Sequence, residues 1–203
     1  LNLTRNMNVP VTIRGGMNMS EDRTVQEKLQ EETEQEEHVH HHNPTAAAMT
    51  NHIVANIATL HVKLHQYHWY VKGPHFFSLH EKFEELYNEN EEWFDQIAER
   101  LLASGNKPFS TTAQFQQYSF LKEDPADKYW SAEKMVENLI DDYRTTRDVT
   151  MRAITMAQDE GDVVLEDTLI SYKAYVDKTL WMMQAFLGKE AYEDDDAMEE
   201  DED

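Results

Sequence analysis

The sequence predicts an all-α fold, a four-helix bundle whose second and third helices are joined by one long crossover carrying a short helix. Three observations predict it. Apolar residues recur at helical spacing over four long stretches, the links within the first and last pairs are tight, and a long link from Asn106 to Trp130 separates the pairs. An ordinary up-down bundle with a loose loop is the alternative at this point.

The first long helix is expected to start with Asn43 as N-cap and Pro44 in the first helical position. It runs to about Lys72, where Gly73-Pro74 stops it. Val54, Ile57, Leu60, Leu64, Tyr67 and Val71 form its apolar face. The second helix runs from about Ser78 to Ser104 before Gly105, with Leu79, Phe83, Leu86, Phe94, Ile97 and Leu101 on one side. In the crossover, Ser110 is expected to cap a short helix through Tyr118. The third helix starts after Ser131, carries Met135, Leu139, Met151, Ile154 and Met156, and ends at Gly161. The fourth has Asp162 as N-cap and runs to Leu187 before Gly188. The organisation read from this is a bundle over 43–188 between two tails. Residues 1–42 are expected to be disordered, with a Glu/Gln-rich run and then His38, His40, His41 and His42; residues 189–203 are expected to be an acidic tail without packing.

Composition narrows the function. Of 203 residues, 40% are apolar and 29% charged, as in a globular protein, and the formal net charge is −22. Eight acids lie between Ser20 and Glu37 and ten after Gly188, yet the bundle itself still holds 22 acids against 13 Lys and Arg. Such a surface repels nucleic-acid phosphates and favours metal cations as partners. Cysteine is absent, which removes disulfides, thiolate nucleophiles and Cys-held metals and makes the cytoplasm the expected compartment. No apolar run reaches about 18 residues, so no membrane span is expected. The first twenty residues contain no apolar core of a secretory signal; the chain begins at Leu1, and Met17 and Met19 are candidate natural starts.

All ten histidines lie at or before residue 80. A site inside one bundle, built from Glu-x-x-His on two helices, therefore cannot form. The first helix presents His61, His65 and His68, spaced four and three. The second presents His80, Glu84, Glu91, Asp95 and Glu99 along one polar stripe. A stripe of this kind is either a solvated face or a ligand set. The tight turn lets His68 meet His80, with Glu84 one turn on. Asp95 and Glu99 lie roughly 16 and 22 Å beyond Glu84 along the helix, out of reach of the same metal. A second copy running antiparallel would bring its Asp95 and Glu99 to the first copy's His68, His80 and Glu84, making two mixed sites about a two-fold axis. Imidazole and carboxylate ligands suit iron, with zinc or cobalt as competitors.

The stretch Leu64 to Ser110, with His68-Trp69, Leu79-His80-Glu81, Asp95 and Ala98-Glu99-Arg100, resembles the Dps family of miniferritins. Asp159-Glu160-Gly161-Asp162 and the Lys173–Leu187 segment with Asp177-Lys178 and Trp181 extend the likeness over Ala47 to Gly188. The resemblance implies a ferritin-like four-helix bundle assembled as a hollow shell of twelve copies, a homo-dodecamer. It also implies oxidation of Fe(II), preferably with hydrogen peroxide, and storage of Fe(III) as mineral. By the same resemblance the ferroxidase ligands fall on His68, His80, Glu84, Asp95 and Glu99, with Trp69 close by. Glu84 departs from the family's usual Asp, which moves the carboxylate by about 1.5 Å. The family's acidic pores imply roles for Asp159, Asp162, Glu166 and Asp167; the competing reading makes Asp162 a plain N-cap and the others dipole-complementing charges. Two rival functions stand beside this one. A DNA-binding, nucleoid-compacting protein would need basic tails, but residues 1–42 hold only Arg5, Arg14, Arg23 and Lys28 against eight acids. A passive metal buffer would use the histidines at 38–42.

Overall fold

The computed structural model describes residues 24–34, 44–193 and 195, and all its regular elements are helical. The chain divides into two units, 1–42 and 43–203.

In the first unit a helix, α1, spans 24–34. This corrects the expectation that 1–42 holds no regular structure. The segment lacks an apolar stripe, but its Gln, Glu, Lys and Leu are good helix formers. Gln30 also donates to Glu34 one turn on, at 2.8 Å. The remainder of 1–42, including His38, His40, His41 and His42, lies outside the described residues.

The second unit begins with α2, Ala46–Tyr70. Its N-cap is Thr45, whose hydroxyl accepts from the Ala48 N–H at 3.2 Å, rather than Asn43; Pro44 sits outside the helix. The Glu160 carboxylate, from the far end of another helix, accepts from the Ala46 N–H at 2.8 Å. Two first-turn donors are thus satisfied. A turn through Gly73, at φ 107°, leads into α3, Phe76–Ala103. The crossover carries α4, Thr112–Tyr118, and a 3₁₀ turn, Asp127–Tyr129. Thr111, not Ser110, caps α4 in a reciprocal box with Gln114. Helix α5, Ala132–Glu160, starts on the Ser131 hydroxyl and ends at Gly161 in the left-handed region. Helix α6, Val163–Phe186, starts on the Asp162 carboxylate.

Helix α2 packs along both α3 and α5, α5 packs along α6, and α3 touches α6. The core between them is continuous: Ile57, Leu60 and Leu64 from α2, Phe83, Leu86 and Ile97 from α3, Leu139 and Ala153 from α5, Leu169 and Val176 from α6. Burial of each large aliphatic side chain contributes about 1.5–3 kcal/mol. Met151 is the exception to the predicted apolar face of α5, since it is exposed.

The crossover runs along the outside of α2, from its N-terminal to its C-terminal end, on a ladder of polar side chains. Asn51 donates to the Lys107 carbonyl and accepts from the Phe109 N–H, each at 2.9 Å. The His52 Nδ1–H donates to the Tyr118 carbonyl at 2.7 Å. Fully buried Asn56 accepts from the Phe120 N–H at 2.9 Å, and Gln66 donates to the Asp124 carbonyl at 3.0 Å. These side chains complete backbone groups that no helix or strand satisfies.

The C-terminal segment also departs from expectation. After α6 the chain folds back onto α5, where the Arg147 guanidinium holds Asp195 by two hydrogen bonds of 2.6 and 2.9 Å. The Glu193 carbonyl accepts from Arg144 and Gln184. Glu193 and Asp195 of the acidic tail are thus held against the bundle, Asp195 because α5 supplies a planar cation that a carboxylate fits in two-point fashion.

Inside the bundle, Lys63 of α2 pairs with Asp142 of α5, both almost wholly buried. Burial raises the Asp142 carboxyl to about 6 despite the lysine beside it. Since this lies above its unfolded value, the group stabilises the fold fully below about pH 4 and loses that contribution as pH rises through about 6. Lys63→Met is expected to cost about 3–5 kcal/mol by leaving a buried carboxyl unpaired. Lys63→Met with Asp142→Leu is expected to recover most of that loss and to flatten the pH dependence between these limits. Urea unfolding followed by far-ultraviolet circular dichroism at several pH values checks both.

Candidate metal centre

The residues singled out on the first two long helices meet where α2 ends and α3 begins. His68 lies in the last turn of α2, where carbonyls lack intrahelical donors. His80 lies in the second turn of α3. The His68 Nδ1–H donates to the His80 carbonyl at 2.7 Å, and the His80 Nδ1–H donates to the His68 carbonyl at 2.8 Å. Their rings stack at 3.7 Å between centroids, 17° from parallel. A carbonyl can only accept, so both Nδ1 atoms carry a proton, and in the neutral ring the lone pair is on Nε2. Holding one ring nitrogen on a carbonyl is how metal-binding histidines are fixed in tautomer and orientation.

Phe76 stacks on the outer side of His80 at 5.0 Å, and Tyr87 meets His68 edge-on at 5.5 Å. Glu84 is exposed one turn beyond His80, and its charge adds to the desolvation that raises the Tyr87 hydroxyl. Tyr87 also stacks on His65, 3.9 Å between centroids. His61 lies below its usual value because burial, and then the neighbouring His65, disfavour its charged form. Trp69 is two-thirds exposed and touches His65 rather than the paired rings.

Asp95 and Glu99 are exposed farther along α3. Among the described residues, no three His, Asp or Glu side chains of one chain gather closely enough to hold a metal ion. The structure therefore brings His68, His80 and Glu84 to one end of the seam and leaves Asp95 and Glu99 apart from them. The reciprocal clasp was not readable from the sequence, because a backbone carbonyl has no residue-type signature. Tyr87 was readable in principle: it stands seven residues after His80, on the same face of α3.

At the α5–α6 turn, Asp162 is occupied as an N-cap, accepting from the Leu165 N–H at 3.1 Å, and in an ion pair with Arg100 at 2.6 Å. Glu166 accepts from Gln158 at 2.7 Å, while Asp159 and Asp167 are exposed. Among the described residues no helix is long and apolar enough to cross a membrane.

Comparison with known proteins agrees with this architecture. Residues 47–191 match the ferritin-like domain. A "DNA protection during starvation protein" of Listeria monocytogenes is 45% identical over 139 residues, 68% of this chain and 89% of the relative. The structure of Listeria innocua Dps soaked with zinc superposes with a TM-score of 0.69 at 42% identity, covering 72% of this chain and 98% of the other. A form of that Listeria innocua protein with two histidines, twelve positions apart, changed to glycine superposes with a TM-score of 0.70 at 41% identity, covering 72% and 97%. By bundle topology, by the match over 47–191 and by these relatives, the chain belongs to the ferritin-like proteins and, among them, to the Dps miniferritins.

Proposed function

We propose that this protein is a ferroxidase of the cytoplasm that removes Fe(II) at sites shared between two copies of the chain and stores the Fe(III) as mineral in a hollow twelve-copy shell. The observation that carries this reading is the His68–His80 clasp. It turns two imidazoles the same way, with Glu84 one helical turn beyond His80, and the remaining donors of the stripe, Asp95 and Glu99, lie too far along the same helix to join them. A second copy with α3 antiparallel to the first supplies those two carboxylates and completes the set. The two histidines changed in the Listeria innocua variant have the twelve-residue spacing of His68 and His80, which supports this reading. Zinc and cobalt are the expected competitors for the imidazole nitrogens.

Iron is the substrate. Two Fe(II) each give one electron to hydrogen peroxide, which takes up two protons and leaves as two waters. The imidazoles bind as neutral donors, the carboxylates compensate the growing positive charge, and the half-buried clasp keeps the ring nitrogens aligned. Consuming peroxide at bound iron prevents the release of hydroxyl radicals into solution. Asp159, Glu166 and Asp167 at the α5–α6 turn are the proposed acidic lining of the iron entry; Asp162 contributes mainly as the cap that shapes the turn. Protection of DNA then follows from removal of iron and peroxide, since a chain of net charge −22 does not coat a polyanion.

His68→Gly with His80→Gly is expected to slow peroxide-driven Fe(II) oxidation by at least the roughly 10–100-fold that loss of even an outer partner of a metal site costs. Assembly should be intact; stopped-flow absorbance with light scattering on the same sample checks it. Unchanged kinetics would move the chemistry elsewhere, and deletion of 1–42 would then report on the tail histidines. In the present reading, that deletion leaves the oxidation rate unchanged.

Sharing has its own signature. His80→Ala and Asp95→Ala shells are each expected to be defective. When the two chains are unfolded and reassembled in equal amounts, half the two-fold pairs are mixed and one of the two sites in each is intact, so about a quarter of the wild-type rate returns. No recovery, in shells shown by mass spectrometry to be mixed, rules out the shared site.

A further inference from the structure

The seam between α2 and α3 continues past the clasp, with donor groups that the proposed oxidation does not use. One turn apart on α2, His61 and His65 have ring centroids 4.5 Å from each other. The His65 Nδ1–H donates to the His61 carbonyl at 2.8 Å, which puts the lone pair of the neutral ring on Nε2. The His61 ring meets the Tyr87 ring edge-on, 6.1 Å between centroids, and so is held between His65 and Tyr87. The Tyr87 ring, stacked on His65, limits its rotation. On α3, Glu91 stands one turn beyond Tyr87, is exposed, and lies close enough for its charge to act on His61.

Two histidines at i and i+4 on one helix face, joined by a carboxylate from elsewhere, form a known zinc-binding donor set that leaves one position for water. His68 is seven residues farther along α2 than His61, about 10 Å, so one ion cannot serve both pairs. The Tyr87 ring stands between them, stacked on His65 and edge-on to His68. We propose that His61, His65 and Glu91 form a second divalent-metal site, separate from the clasp, that takes a cation of the zinc, cobalt or Fe(II) class. In the present side-chain positions the three groups are not gathered; rotation of the exposed Glu91 side chain closes the set. His65 is ordered through its other nitrogen, the same device as at the clasp, and both rings pack against Tyr87, which distinguishes this pair from surface histidines.

The test uses assembled, full-length protein with His68→Gly and His80→Gly already in place, titrated with Co(II) and followed by equilibrium dialysis and visible absorption. The tail histidines are present in every variant and cancel in the comparison. Adding His61→Ala and His65→Ala is expected to remove one bound Co(II) per chain, together with the absorption of a low-coordinate cobalt centre. Adding Glu91→Gln alone is expected to weaken the same site by roughly tenfold. Equal stoichiometry and affinity with and without His61 and His65 overturns the site. If the paired alanines disturb the helices by circular dichroism, Glu91→Gln decides, since it alters only an exposed side chain; unchanged affinity in that variant overturns the proposal.

Discussion

The short turn between α2 and α3 sets the register of two antiparallel helices, and the height of each donor group on their seam follows from it. His65 is level with Tyr87, which places Glu84 level with His68 and Glu91 level with His61. Val71 leaves α2 with an extended backbone, and Gly73 at φ 107° lets the chain reverse before Pro74. A turn one residue longer would slide α3 by about 1.5 Å and rotate it by about 100°. The two carbonyls that hold the imidazoles would then face other side chains. The clasp is thus a product of turn length as much as of the two histidines.

The same economy of backbone groups organises the crossover. A segment that is neither helix nor strand must still satisfy its N–H and C=O groups where it is buried. Here α2 supplies the partners from its own side chains, through Asn51, His52, Asn56 and Gln66. Helix α2 is consequently polar on a side where a bundle helix would ordinarily be solvated, yet Asn51 and Asn56 are buried. Lys63 and Asp142 extend this pattern into the core. An ion pair in that position adds little net stability over an apolar pair, while loss of either partner is costly.

Much of this architecture was legible in the residues. Ser131, Gly161 and Asp162 mark helix ends through chemistry that is local to them, and the structure uses each as expected. The start of α2 was misread because Asn43 and Thr45 are both competent caps and Pro44 suits a first helical position. The deciding contact comes from Glu160, which is distant in sequence. The folded C-terminal segment was illegible for a related reason: nothing in Glu193 or Asp195 announces that Arg144 and Arg147 wait on α5. At the candidate metal centre, the meeting of His68 with His80 followed from the turn. The fixing of their tautomers by carbonyls did not, whereas Tyr87 was readable from its place seven residues after His80 on the same face of α3.

The ladder that straps the crossover to α2 has a consequence for the order in which the chain acquires its contacts. Helices α2 and α3 meet across only 12 residues at the clasp, whereas Lys63 and Asp142 are 79 residues apart. The loop-closure cost of the first is the smaller, and contacts close in sequence form faster. Each helical hairpin is therefore a local event, and docking of one hairpin on the other is the slow, non-local one. By its hydrogen bonds to α2, the crossover shortens the free length of chain between the hairpins before they meet. It works as a splint that reduces the entropy still to be lost when the core closes.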